Sequence, residues 1–123
     1  MKTISAGSRT ILDYQAVCSA VALSGFNITE VISGGAPGVD TLGEQWAAEH
    51  GVPVHRMPAR WDLHGKSAGF KRNYEMALYV AKPWPAGGLI AVWDGVSRGT
   101  FHMIKTARLQ GLEVFVNLVQ KKY

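Results

Sequence analysis

Three glycine-rich turns each follow a short apolar stretch, and their residue types are suited to binding an anion. They are Gly7-Ser8-Arg9, the segment from Ser33 to Gly38, and the segment from Asp94 to Thr100. Glycine has no Cβ, so backbone N–H groups in such turns can approach a phosphate closely, and a following helix points its positive end there. Turn geometry alone explains any one of them, but three together favour an anion site.

The candidate ligand-binding residues come from these turns, the helix start after the second turn, and a later helix. They are Gly7, Ser8, Arg9, Gly34, Gly35, Ala36, Gly38, Asp40, Arg72, Asn73, Asp94, Gly95, Ser97, Gly99 and Thr100. Arg9 is interpreted as a phosphate clamp or as a solvated residue of a first helical turn. A cation at a helix start opposes the helix dipole, which favours a bound anion. Arg72 in isolation is typical of a surface charge.

The carboxylates and hydroxyls among these candidates each have two interpretations. Asp40 falls in a first helical turn, where it complements the dipole without any ligand. Because a carboxylate repels phosphate, its alternative role is to contact ribose hydroxyls or to hold Arg9 or Arg72. Asp94 is open to both interpretations too. Ser97 and Thr100 either donate hydroxyls to a phosphate or cap the helix that starts nearby.

No metal and no cofactor are predicted. The four histidines lack metal-ligand spacing, and a single cysteine offers neither a disulfide nor a thiolate cluster. Trp61, Trp84 and Trp93 are candidates for stacking on a base, although tryptophan is more often a core or rim residue.

Strands and helices alternate along the chain, which predicts an α/β domain with a parallel sheet. Strands are predicted at about residues 2–6, 28–32, 52–57, 89–93 and 112–118. Four helices are predicted. The first has apolar residues from Ile11 and stops at Gly25, and the second extends from about Pro37 to before Gly51. The third covers Ser67–Ala81 and is ended by Pro83 and Pro85, and the fourth extends from about Gly99 to Gln110. The segment from Pro58 to Gly65 is interpreted as an irregular functional loop or lid.

Length and charge limit the classes of protein. The 123 residues fit one domain, 1–123, and the apolar fraction of 47% is that of an ordinary globular protein. A net charge of +4 suits a phosphate-bearing partner. The only adjacent basic pairs, Lys71-Arg72 and Lys121-Lys122, are too few to indicate duplex DNA binding. Without a signal peptide or an apolar span, we expect a cytoplasmic protein with no membrane partner.

The motifs, taken in order, resemble those of the SLOG superfamily and specifically its YspA-like members. They are Gly7-Ser8-Arg9, the run from Ser33 to Asp40, Lys71-Arg72-Asn73, and the run from Trp93 to Thr100. The resemblance extends from about Lys2 to Asn117. It implies a Rossmann-like three-layer α/β fold with a mostly parallel five-stranded sheet and a nucleotide-derived ligand bound by these segments. The superfamily includes LONELY GUY phosphoribohydrolases, sensor domains for NAD or ADP-ribose derivatives, and the single-strand-binding DNA-processing A family.

The sequence departs from the hydrolases at one position. Their Pro-Gly-Gly-x-Gly-Thr-x-x-Glu segment ends in a catalytic glutamate, whereas the run Gly99-Thr100-Phe101-His102-Met103 has Met103 there. N-glycosidic cleavage passes through an oxocarbenium-like transition state that a carboxylate stabilises, and a thioether has no such charge. Whether Asp40 or Asp94 substitutes stays open.

We therefore expect a binding module that senses or sequesters a nucleotide derivative, such as an ADP-ribose-like or NAD-derived signal. The alternative is a nucleotide phosphoribohydrolase or related N-glycosidic hydrolase that uses Asp40 or Asp94 with Arg72. Single-stranded nucleic acid is a distant third ligand, because basic and aromatic residues are not interleaved. Family members commonly pair, which implies a homo-oligomer, with the helix carrying Tyr74, Leu78 and Tyr79 as a candidate partner face.

Overall fold

The computed structural model describes residues 1–82 and 85–119, and the strands and helices alternate as expected. The strands are β1 (Lys2–Gly7), β2 (Glu30–Ser33), β3 (Val54–Arg56), β4 (Gly88–Trp93) and β5 (Glu113–Leu118). The helices are α1 (Tyr14–Ser24), α2 (Val39–Glu49), α3 (Trp61–His64), α4 (Ala68–Ala81) and α5 (Arg98–Leu109), with a 3₁₀ turn at Gly65–Ser67 before α4. Pro83, Trp84 and the pair Lys121-Lys122 lie outside the described residues.

The five strands form one sheet in the order β3-β2-β1-β4-β5, and every neighbouring pair is parallel. The α/β fold with a five-stranded Rossmann-like sheet is therefore confirmed, and the sheet is wholly rather than mostly parallel. β2 and β3 lie in succession on one side of β1, and β4 and β5 lie in succession on its other side. In open α/β sheets such a reversal leaves a crevice at the carboxyl ends of the two central strands.

Helices cover both faces of the sheet and give two separate cores. β4 shows the division, because its side chains alternate between the faces. Leu89 and Ala91 are buried with α4 and α5, whereas Ile90 and Val92 are buried with α1 and α2. Burial on both sides explains why β4 reads as an uninterrupted apolar run.

The structure corrects two expectations about local elements. Ile11 and Leu12 precede α1, which begins only at Tyr14, where the Asp13 carboxylate accepts a hydrogen bond from the Gln15 N–H at 3.0 Å. Arg9 therefore lies in a loop, and the argument from the dipole of a first helical turn does not apply to it. The segment from Pro58 to Gly65 is also not wholly irregular, since it contains α3.

No helix in the described part of the chain is both long enough and apolar enough to cross a membrane.

Candidate functional site

A cavity of about 480 Å³ opens at the carboxyl ends of β1 and β4, where the strand order reverses. Its walls come from the β1–α1, β2–α2 and β4–α5 loops and from the segment that includes α3 and α4. The lining residues are Ala6, Gly7, Ser8, Arg9, Thr10, Ala36, Asp40, Trp61, Lys66, Gly69, Phe70, Arg72, Asn73, Met76, Asp94, Val96, Ser97, Gly99, Thr100 and Met103. This volume lies in the range of about 300–1,000 Å³ that is usual for small-molecule sites.

Most residues predicted from the sequence meet at this cavity. Those that line it are Gly7, Ser8, Arg9, Ala36, Asp40, Arg72, Asn73, Asp94, Ser97, Gly99 and Thr100. Gly34, Gly35, Gly38 and Gly95 belong to the same turns but are not lining residues. The backbone φ is positive at Gly35, Gly38 and Gly95. Ligand contact by any of these residues stays a prediction.

Arg72 is held in place by the second glycine turn. Its Nη1 donates to the Gly34 carbonyl at 3.0 Å, and its Nε donates to the Asn73 side-chain oxygen at 3.1 Å. A Cβ at position 34 would lie 2.1 Å from Nη1, so only glycine permits this approach. The guanidinium is thus oriented before any ligand arrives.

The cavity carries more positive charge than its surroundings neutralise by ion pairing. Arg9, Lys66 and Arg72 all line it. Within residues 1–82 and 85–119, no carboxylate oxygen lies within 4.0 Å of a charged nitrogen of these three side chains. Burial lowers the pKa of Arg72, since desolvation disfavours its charged form. Among the described residues, two acidic side chains, Asp40 and Asp94, line the same cavity, so the basic groups outnumber them.

Asp40 is the buried carboxyl group of the site. Only 6% of the residue is exposed, and its Oδ2 accepts from the Ala36 N–H at 3.2 Å. Burial raises the pKa of Asp40 to about 6, although the Ala36 N–H, Arg72 and Arg9 act in the opposite direction. The carboxyl ties the second glycine turn to α2, and it forms no ion pair with Arg72 at 4.0 Å or less.

The β4–α5 loop is braced by its own polar groups. Asp94 Oδ1 accepts from the N–H groups of Val96 and Ser97 at 2.8 and 2.9 Å. Ser97 Oγ accepts from the Thr100 N–H at 3.4 Å, so the capping role expected of Ser97 is present. Ser8 Oγ accepts from the Asp94 N–H at 3.0 Å, which joins this loop to the first glycine turn. The Val39 N–H, directly after the second turn, donates to the Ser8 carbonyl at 3.4 Å, so the three predicted turns form one connected rim.

Several cavity residues were missed from the sequence, and one group of them comes from α4 and the segment before it. Phe70, Asn73 and Met76 follow one another at spacings of three, which places them on one helix face, and Asn73 alone was predicted. The buried Asn73 amide donates to the Gly99 carbonyl at 3.2 Å and lies 3.1 Å from His102 Nδ1. His102 in turn stacks on Phe70, with ring centroids 4.1 Å apart.

The tryptophans predicted for base stacking have different positions. Trp61 lines the cavity and is half exposed. Trp93 packs against the α4/α5 core and donates from Nε1 to the Ser97 carbonyl at 3.0 Å. Across the two described ranges, no group of three or more metal-ligating side chains is present, and the lack of a bound metal stays a prediction.

The chain is similar to a known protein family and to a phage protein. The family model described as YspA, cpYpsA-related SLOG family matches residues 1–64. Gene 61 protein of Mycobacterium phage D29 is 34% identical over 124 aligned residues, which span 92% of this chain and 93% of the phage protein. No solved structure matches the chain.

Proposed function

The chain belongs to the YspA, cpYpsA-related SLOG family, and from this premise we propose that it binds a nucleotide derivative at the carboxyl edge of its sheet, as a sensor or a sequestering module. Family membership supports a nucleotide-related ligand in general terms. An ADP-ribose-like or NAD-derived signal is the finer proposal, because such molecules carry the phosphates and hydroxyls that the cavity's polar groups suit.

The observation that carries the proposal is the positive charge at the cavity. Arg9 and Arg72 face it without a carboxylate within 4.0 Å in the described part of the chain. Hydrogen bonds from arginine to a phosphate are stronger than those between neutral groups, and a guanidinium can make two in parallel. A phosphate between these side chains would therefore gain charge-assisted bonds that water cannot match.

The polar groups around the charge suit the rest of a nucleotide. Asp40 can accept from a ribose hydroxyl whether it is ionised or protonated, whereas a nearby phosphate would repel its ionised form. The backbone of the turn around Gly99 stands at the amino-terminal end of α5, where the helix dipole favours negative charge. These groups together favour a ligand with both phosphate and sugar.

Mass spectrometry of small molecules released by denaturing the purified protein tests this proposal. We expect a co-purified nucleotide derivative, and a thermal shift when AMP, NAD or ADP-ribose is added, since a ligand that binds only the folded state raises its stability. Finding no released nucleotide and no shift with any member of this set would contradict the proposal.

The position and pKa of Asp40 favour a second candidate function, that of an N-glycosidic hydrolase. A carboxyl lining the cavity with its pKa raised to about 6 is suited to proton transfer near neutral pH. Met103 opposes this candidate. It stands at the position of the hydrolase glutamate, is 1% exposed and packs in the core.

Base release from nucleoside monophosphates, NAD and ADP-ribose separates the two candidates. We expect none above background. Steady release that Asp40→Asn or Asp94→Asn abolishes, with ligand binding preserved, would establish the hydrolase instead.

A further inference from the structure

The cavity is lined by both cationic and aromatic side chains. Arg9 and Arg72 reach it from the β1–α1 loop and α4, whereas Trp61 and Phe70 reach it from α3 and the first turn of α4. An inorganic phosphate would use only the cationic side chains. Most of the cavity volume of about 480 Å³ would then still be filled by water.

Exposure alone does not single out Trp61. The residue is 53% exposed, but Leu12 and Leu109 are more exposed and lie away from the cavity. Trp61 differs because it lines the same cavity as the guanidinium groups of Arg9 and Arg72. An exposed indole costs free energy in water, and a ligand that covers it recovers that free energy.

The indole of Trp61 is also positioned but unstacked. Its Cη2 lies 3.5 Å from where a Cβ at Gly69 would be, so the ring rests against the start of α4. Phe70 already stacks on His102, with ring centroids 4.1 Å apart. Among the ring pairs formed by residues 1–82 and 85–119, none includes Trp61. Trp61 therefore offers an open aromatic face at the cavity.

We propose that Trp61 stacks on the base of the bound nucleotide, so that the site selects a ligand with a planar aromatic base over a phosphorylated sugar alone. This inference rests on the proposed function and adds the residue that contacts the base. Stacking on an aromatic side chain tolerates different bases, because every base presents a π face. The expected selectivity is thus for the presence of a base more than for its identity.

Calorimetric titration measures this selectivity with ribose 5-phosphate as the base-free probe and AMP, GMP, CMP and UMP as the others. The proteins are the wild type, Trp61→Ala, Trp61→Leu and Trp61→Phe. Leucine keeps apolar bulk without a π face, and phenylalanine keeps a smaller one. Phe101→Ala is the matched control, because Phe101 is also 53% exposed but does not line the cavity. Melting curves verify that each variant is folded.

For the wild type we expect nucleoside monophosphates to bind more tightly than ribose 5-phosphate, by on the order of 5- to 150-fold. Trp61→Ala and Trp61→Leu should lose this advantage with ribose 5-phosphate affinity unchanged, Trp61→Phe should keep most of it, and Phe101→Ala should keep all of it.

Two results would overturn the inference and leave the proposed function in place. One is equal wild-type affinity for ribose 5-phosphate and the nucleotides, and the other is an advantage that survives Trp61→Ala. Failure of the wild type to bind any of these probes, and NAD and ADP-ribose as well, would overturn the proposed function, and this inference with it.

Discussion

Because Asp40 is buried, its titration makes the stability of the folded protein depend on pH. An isolated aspartate has a pKa of 3.8, whereas burial raises the pKa of Asp40 in the folded protein to about 6. Between about pH 4 and pH 6, Asp40 is therefore still protonated in the folded state but already ionised in the unfolded state. Because the folded state binds more protons in that window, its stability falls as the pH rises through it.

Asp40→Asn is expected to remove this pH dependence. The wild type should lose on the order of 3 kcal/mol of unfolding free energy from this group between pH 3 and pH 8, whereas asparagine stays neutral and can still accept from the Ala36 N–H. Denaturant unfolding of both proteins at several pH values measures the difference. A constant gap between the two proteins across pH 4 to 8 would contradict the raised pKa.

Binding of an anion should draw a proton to the same carboxyl. A phosphate near Asp40 disfavours its charged form and raises its pKa further, so binding near pH 6.5 should take up protons. Calorimetric titration of AMP in two buffers of different ionisation enthalpy measures that uptake. Proton uptake that is unchanged in Asp40→Asn would assign it to another group.

Arg72 is the side chain whose loss should weaken binding most clearly. We expect Arg72→Ala to lower AMP affinity roughly 10- to 150-fold, the range for losing a hydrogen bond to a charged group. Arg72→Lys should recover only part of it, because an ammonium group lacks the planar fork that bonds Gly34 and Asn73. Arg108→Ala, at an exposed position in the last turn of α5, is the control. Wild-type affinity in Arg72→Ala would remove this residue from the site.

At the scale of elements, two glycines of the predicted turns have opposite constraints. Gly38 has a φ of 81°, and a Cβ there would lie 2.5 Å from the carbonyl oxygens of Ser8 and Arg9. Gly99 lies in the first turn of α5, and apart from its chain neighbours and the nearby helix backbone, no atom of the described residues lies within 4 Å of its would-be Cβ. The first position serves folding, and the second is free to serve a ligand.

These constraints predict different phenotypes. Gly38→Ala should destabilise the fold by about 1–3 kcal/mol or more, because it combines backbone strain with a steric clash. Gly99→Ala should keep or slightly raise stability, since alanine is the better helix former, yet weaken nucleotide binding. Thermal melts and AMP titrations on both variants measure the two effects. Unchanged affinity in Gly99→Ala would exclude this turn from ligand contact.

The element boundaries show which local signals the sequence carries. The start of α1 was misplaced because Ile11 and Leu12 continue the apolar pattern, although Asp13 is a good N-cap residue and its side chain caps the helix. β4 was predicted well because burial on both faces leaves an uninterrupted apolar run. β3 is shorter than predicted, and Pro53 has no N–H to donate to the sheet.

For the whole molecule, the parallel sheet and the three loops at its carboxyl edge were predictable, because both follow from the order of strands and turns. Of the part of the cavity that α4 contributes, Arg72 and Asn73 were predicted and the rest was not. Phe70 and Met76 reach the site only because α4 packs on the opposite face of the sheet from α1 and α2, which is a tertiary fact. The raised pKa of Asp40 likewise depends on burial that no local sequence pattern encodes.

Association between copies also belongs to this scale, and a homo-oligomer stays a prediction. On the suggested partner face, Tyr74 is 50% exposed, but Tyr79 donates to Glu30 and stacks on His55 within its own chain. Light scattering measures the oligomeric state. The cytoplasmic location also stays a prediction.

An NMR titration of the ¹⁵N-labelled protein with AMP tests the central claim most directly, because it reports the ligand and its location at once. The account predicts saturable shifts of backbone amides in the three rim turns and near Arg72 and Trp61, with little change at the start of β1 or at the end of α1. Shifts confined to those distant segments, or no shift with AMP, NAD or ADP-ribose, would contradict nucleotide binding at this cavity.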